Sequence, residues 1–200
     1  MFTKKLFFGI QTLLICILKF AGFPANSADW QKGLLEYNRG NYGAALKEWN
    51  VLAAQGNASA QFNLGVMHRS GIGVPQNTKL AIKWYTLAAN QGLAPAQSIL
   101  GSIYRIGKDA PKDDKLARKW YALAAEQEDT DATYYLGVLY RRGPLKDHVF
   151  AHMWWDIAAS LGDRMAAKNR DLLAQKMSLQ QIRKAHKLSK QCVKNKYKNC

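Results

Sequence analysis

Acid is scarce in this chain: 14 Asp and Glu stand against 29 Lys and Arg, a formal net charge of +15 over 200 residues. Cysteine is scarcer, with Cys16, Cys192 and Cys200 alone and none in residues 17–191. Two cysteines without nearby histidines make a poor zinc site. No apolar run reaches the roughly 20 residues that span a bilayer. Neither a nucleophile elbow nor a phosphate-cradling glycine loop is present. His148 and His152 lie four apart, but Val149 occupies the position where a zinc-protease helix needs Glu. With no third ligand nearby, His152 beside Met153 and Trp154 reads as a packed histidine. The acids are spread over loops and helix starts, so no pair forms an acid/base couple. No catalytic residue, metal site or cofactor is assigned.

The positive charge is uneven. Residues 29–163 hold 15 basic and 13 acidic side chains, whereas residues 164–200 hold 11 basic ones and only Asp171. Lys4, Lys5 and Lys19 complete the total. The basic character therefore belongs to the two ends, and the overall pI is no argument for nucleic acid.

Lys4 and Lys5 precede an apolar stretch, Leu6 to Leu18, broken only by Gln11 and Thr12. The small residues of Phe23-Pro24-Ala25-Asn26-Ser27-Ala28 follow. Charged start, short apolar stretch and small-residue end predict a secretory signal peptide over 1–28, cut after Ser27 or Ala28. The competing expectation is an uncleaved anchor over residues 6–23, against which Lys19 counts. Either way the rest of the chain is expected outside the cytoplasm, periplasmic or secreted.

What the chain has in plenty is repetition. Ala60, Leu64 and Gly65 return 36 residues later as Ala96, Leu100 and Gly101, then as Ala132, Leu136 and Gly137. Ala81, Tyr85, Ala88 and Ala89 return as Ala117, Tyr121, Ala124 and Ala125, then as Ala151, Trp155, Ala158 and Ala159. Gly92 returns as Gly162. A worn earlier copy carries Gly33, Ala45, Trp49, Ala53 and Gly56. A fixed period in the thirties predicts stacked supersecondary units. Within a copy the apolar residues fall at helical spacing. Gly71-Ile72-Gly73-Val74-Pro75 breaks the helix, Asn77 or Thr78 can cap the next one, and Gly92 can end it. Each copy is therefore a helix–turn–helix pair. Gly65, Ala81 and Ala88 allow close approach, with Trp84 and Tyr85 expected to fill the space between neighbouring pairs.

The pattern Ala60-x-x-x-Leu64-Gly65, Gly71-x-Gly73-Val74-x-Gln76, Ala81-x-x-Trp84-Tyr85-x-x-Ala88-Ala89-x-x-Gly92 resembles the Sel-one-like repeat family, relatives of the tetratricopeptide repeat. The resemblance covers about residues 40–162. It implies an all-α solenoid of about four helix–turn–helix repeats over 29–162, followed by capping helices and a basic tail over 163–200. It also implies a non-catalytic scaffold that binds proteins or peptides at the cell envelope. Some cysteine-rich secreted relatives are linked to penicillin binding and β-lactam hydrolysis. Their paired cysteines inside each repeat are missing here, so a hydrolase stands as an alternative.

Arg69, Arg105 and Arg141 lie one repeat apart, near the end of each first helix. In tetratricopeptide-like stacks the first helices line a concave groove. On that register the groove presents these arginines with Phe62, Ser98 and Tyr134 two turns earlier, and Val66, Ser102 and Val138 between. Guanidinium pairs bidentately with carboxylate, so the expected partner is an acidic peptide or polymer. Arginine in a last turn also simply complements the helix dipole. In the C-terminal region the spacing of Ser178 and Gln181 predicts a capping box. Lys184, Lys187, Lys190, Lys194, Lys196 and Lys198 crowd the final helix and tail. They suit a solvated cap or a patch for anionic membrane or envelope polymer. Nucleic acid is not expected. Cys192 and Cys200 can pair within the chain or between chains.

Overall fold

Glycine meets an aromatic ring once in every repeat, and this contact sets the fold. The computed structural model describes residues 27–142, 144, 146–198 and 200. The expected leader therefore lies outside the described residues, apart from Ser27 and Ala28. Four helix pairs follow one another: α1 (Ser27–Asn38) with α2 (Tyr42–Ala54), α3 (Ala58–Ser70) with α4 (Thr78–Asn90), α5 (Ala94–Ile106) with α6 (Asp114–Ala125), and α7 (Thr130–Arg141) with α8 (His148–Ser160). Two further helices, α9 (Arg164–Ala174) and α10 (Leu179–Lys194), both pack on α8. Among the described residues there is no strand.

A Cβ added at Gly33, Gly65, Gly101 or Gly137 would come within 2.4–2.6 Å of Trp49, Tyr85, Tyr121 or Trp155, respectively. Each ring thus presses against the bare backbone of the first helix of its own pair. Tyr85 thus fills space inside its own pair, and it also joins the cluster that reaches Leu100 of the next pair. Only a glycine leaves room for a ring at that distance. The same contact in α1 and α2 identifies the first pair as a full repeat despite its shorter inter-helix loop.

The loops conserve their closing bonds as their lengths change. The amide of Asn77 donates to His68 O at 2.8 Å and that of Asp113 to Tyr104 O at 2.9 Å. In the fourth pair Asp147 donates to Tyr140 O at 2.7 Å, so the loss of two residues is confined to the loop. Asn57, Asn77, Asp113, Asp129, Asp147 and Asp163 cap the following helices through their side chains. Each satisfies a helix-start amide that would otherwise lack a partner. The link to the next pair needs a left-handed residue, supplied by Gly56, Gly92 and Gly162. Glu128 occupies that place in the third copy with φ 61°. The Ser178–Gln181 capping box forms in full.

The core is a chain of overlapping clusters. One joins α1–α3 around Trp49, Leu64 and Met67, with Trp84 against it. The next joins α3–α6 around Phe62, Tyr85, Leu100 and Trp120. A third joins α6–α8 to Ala185, Cys192 and Tyr197 at the C-terminal end. Ala166 and Leu173 of α9 cover Trp155 of α8. Such nearest-neighbour burial is how a solenoid is held together.

Candidate functional site

The sequence-predicted groove residues lie on the first helices but do not form a uniform row. Phe62 is 1% exposed and packs on the Tyr85 ring at 5.7 Å between centroids. It is a core residue, and its expectation as a groove residue is corrected: the position turns inward, where Ala58 and Tyr85 bury it. Ser98 and Tyr134 are half-buried. The Ser98 hydroxyl donates to Asp129 Oδ1 at 3.4 Å, and the Tyr134 hydroxyl accepts from Asn169 Nδ2 at 3.1 Å.

The three arginines have different surroundings. Arg69 lies beside the Tyr85 phenol and reaches Asp109 of the next repeat at 3.9 Å. Arg105 Nε donates to the Tyr121 hydroxyl at 3.2 Å, and its guanidinium lies 4.4 Å from the centre of the Tyr135 ring. Both therefore tie a tyrosine to the following repeat. Burial pushes both phenols above their ordinary pKa, partly opposed by these arginines, so each stays protonated. In the fourth pair the ring is Trp155, whose Nε1 donates to Tyr134 O at 3.2 Å. It offers Arg141 no hydroxyl. Arg141 instead borders a cavity of about 480 Å³ between α7, α8 and α9, shared with Arg142 and Lys176.

A second polar cluster fastens the C-terminal helices. Asp156 of α8 accepts from Arg170 of α9 at 3.0 Å. Its other oxygen accepts from Ser189 Oγ of α10 at 2.7 Å and lies 3.1 Å from His186 Nδ1. Burial raises the Asp156 pKa, but the bonds from Ser189, His186 and Arg170 outweigh it and hold the carboxyl below its ordinary range. His152 is buried against the His186 ring, 5.1 Å between centroids. Burial, then His186, pushes its pKa down. Serine, histidine and aspartate meet here, yet not as a nucleophile and its base. Ser189 is 5% exposed and already gives its proton to the carboxylate, while His186 bonds the same carboxylate oxygen. The cluster acts as a clamp. Among the described residues no group of three metal-ligating side chains converges.

The Sel1 repeat pattern matches residues 58–93, 94–129 and 130–163. The chain belongs to the Sel1 repeat family. A Sel1 repeat protein from Oxalobacter formigenes is 38% identical, covering 63% of this chain and 96% of that one, with a TM-score of 0.57. The c5321 protective antigen of uropathogenic Escherichia coli, which displays the same repeat fold, is 27% identical over 86% of this chain and 47% of its own, with a TM-score of 0.49. No protein of curated function matches. Sel1 repeats are generally protein–protein interaction scaffolds and typically lack catalysis. Among the described residues no helix is long and apolar enough to cross a membrane.

The 36-residue period also extends to a set of glutamines. Gln61 and Gln97, 36 apart, donate to Ala53 O and Ala89 O of the preceding helix at 3.2 and 3.0 Å. Gln91 and Gln127, also 36 apart, donate to the side-chain oxygens of Gln61 and Gln97 at 2.7 and 3.0 Å. These glutamines staple one repeat to the next. Asn169 and Lys176, by contrast, carry no period and reach the Arg141 cavity only through the fold. The Cys192–Cys200 disulfide is intrachain, with Cα atoms 5.4 Å apart, and closes the tail over buried Tyr197.

Proposed function

We propose that this Sel1 repeat protein is a non-catalytic adaptor acting outside the cytoplasm, holding a partner protein along the face built by α3, α5 and α7. The observation that carries it is the state of the repeated outer positions. Val66, Ser102 and Val138, with Arg69, Arg105 and Arg141 a turn further on, are all half-buried. They form a strip that the core has not absorbed and water has not fully solvated. Such a strip, mixing aliphatic and guanidinium groups, suits an amphipathic acidic segment. The leader read from residues 1–28 supports the compartment.

The test is affinity capture from native envelope extract, using the mature protein and an Arg69→Ala/Arg105→Ala/Arg141→Ala variant whose circular dichroism is unchanged. A specific partner held by the first and lost by the second is the expected result. Covalent labelling by a β-lactam probe would replace the adaptor with a hydrolase. Capture that disappears on removing residues 189–200, and falls steeply with salt, would move the function to the basic tail. Mass measurement of the exported protein is expected to show loss of 27 or 28 residues.

A further inference from the structure

In the two central repeats the first-helix arginine is already used, by a phenol and by the next repeat. The fourth repeat breaks this rule twice: its ring is Trp155, and among the described residues α9 and α10 follow it in place of a further Sel1 repeat. Arg141 therefore faces the cavity beside Arg142 and Lys176, and the described residues lining that cavity include no acid. Asn169 donates its amide to the Tyr134 hydroxyl, which leaves the phenolic hydrogen free to donate inward. Half-buried Val138 and exposed Leu172 supply an apolar wall. Three cationic groups and a hydroxyl donor converge beside that wall, in a space within the range of ligand pockets.

From this juxtaposition we infer that the cavity between α7, α8 and α9 is a carboxylate-binding site. It takes a short acidic peptide segment, whose carboxylate sits on Arg141, Arg142 and Lys176 and whose neighbouring apolar side chain rests on Val138 and Leu172. This deepens the adaptor reading and rests on it, since the segment belongs to the partner. Of the three arginines, Arg141 is the one that contributes most to recognition, because binding there breaks no existing bond. At Arg105 the tyrosine already occupies the Nε donor and at Arg69 an aspartate lies beside the guanidinium, so each offers a carboxylate fewer free donors and less net charge.

The probe is a fluorescein-labelled hexapeptide alternating leucine and glutamate, titrated into the full mature chain and followed by fluorescence anisotropy. Saturable binding is expected, weaker by about tenfold or more for the glutamine peptide with an amidated end. An Arg141→Gln/Arg142→Gln variant is expected to lose about tenfold, and Lys187→Gln/Lys190→Gln on α10 to lose little. Should the arginine variant not fold, Lys176→Gln at an exposed position carries the same test. Equal binding of the two peptides overturns the site. So does full binding by the cavity variants, an equal loss in the α10 variant, or displacement by inorganic phosphate at peptide-like concentrations. Partner capture separates the two readings. A partner still captured by a cavity variant, with no peptide bound by either protein, removes the site and leaves the adaptor. Peptide binding that needs Arg141, with no partner captured by the unaltered chain, leaves the site and removes the adaptor.

Discussion

Replacing Gly101 by Ala would place a Cβ 2.6 Å from the Tyr121 ring, in a core with nowhere to move it. Overpacking of this kind costs about 2–3 kcal/mol, and the urea midpoint of Gly101→Ala is expected to fall accordingly. Glu128 offers the opposite change. It holds φ 61° where Gly56, Gly92 and Gly162 hold the equivalent link. A side chain is strained there and glycine is not. After allowing for the extra freedom of unfolded glycine, Glu128→Gly is expected to stabilise by about 0.5–1 kcal/mol in the same urea experiment. Both residues were within reach of the sequence, because Gly101 obeys the 36-residue period and Glu128 violates it. Phe62 was not. Its place on a helix was legible, but which way the helix turned depended on its packing partners.

Helices are joined here by two kinds of polar device. The glutamine staple works between neighbouring repeats. Gln97→Leu would remove the bonds to Ala89 O and from the Gln127 amide; these groups keep Gly92 N and Gly92 O as partners, so the cost is expected at about 1 kcal/mol, measurable in chemical denaturation. The Asp156 clamp works between α8 and the two helices packed on it, and it depends on pH. Because the folded Asp156 pKa is depressed, its contribution is complete above the ordinary carboxyl range and lost as pH falls through the lower folded value. His152 acts at higher pH. Its folded pKa is depressed by burial, so the unfolded chain takes up its proton first. Stability therefore falls as pH drops below about 6.5, and stops falling once the folded value is passed. Melting temperature against pH is expected to show two acid steps. Asp156→Asn should remove the lower step and keep the upper one.

At the scale of the whole molecule, burial by neighbours alone makes stability uneven. Among the described residues the pair α1–α2 has a neighbour on one side, whereas α5–α6 is covered on both. Gly33→Ala, which meets Trp49 at 2.5 Å, is expected to release the first pair in a separate early transition. Gly101→Ala should lower the main transition instead. Hydrogen exchange read helix by helix distinguishes the two outcomes. A single cooperative transition shifted alike by both substitutions would mean that the repeats fold as one body.

Helix–turn–helix units, their number and their cap residues were determined by the sequence itself. These features depend on local physics that repeats at a regular spacing: a ring opposite a glycine, an Asn or Asp before a helix, a glycine after it. The tertiary structure alone decided which arginine remains available and what secures the end. Arg141 is singled out by Trp155, which offers it no hydroxyl, and by α9, which bounds the cavity beside it. Asp156 meets residues 14, 30 and 33 positions away, brought together only when α9 and α10 fold back on α8. Contacts of that kind have no period, so nothing in the order of residues announces them before the chain has packed.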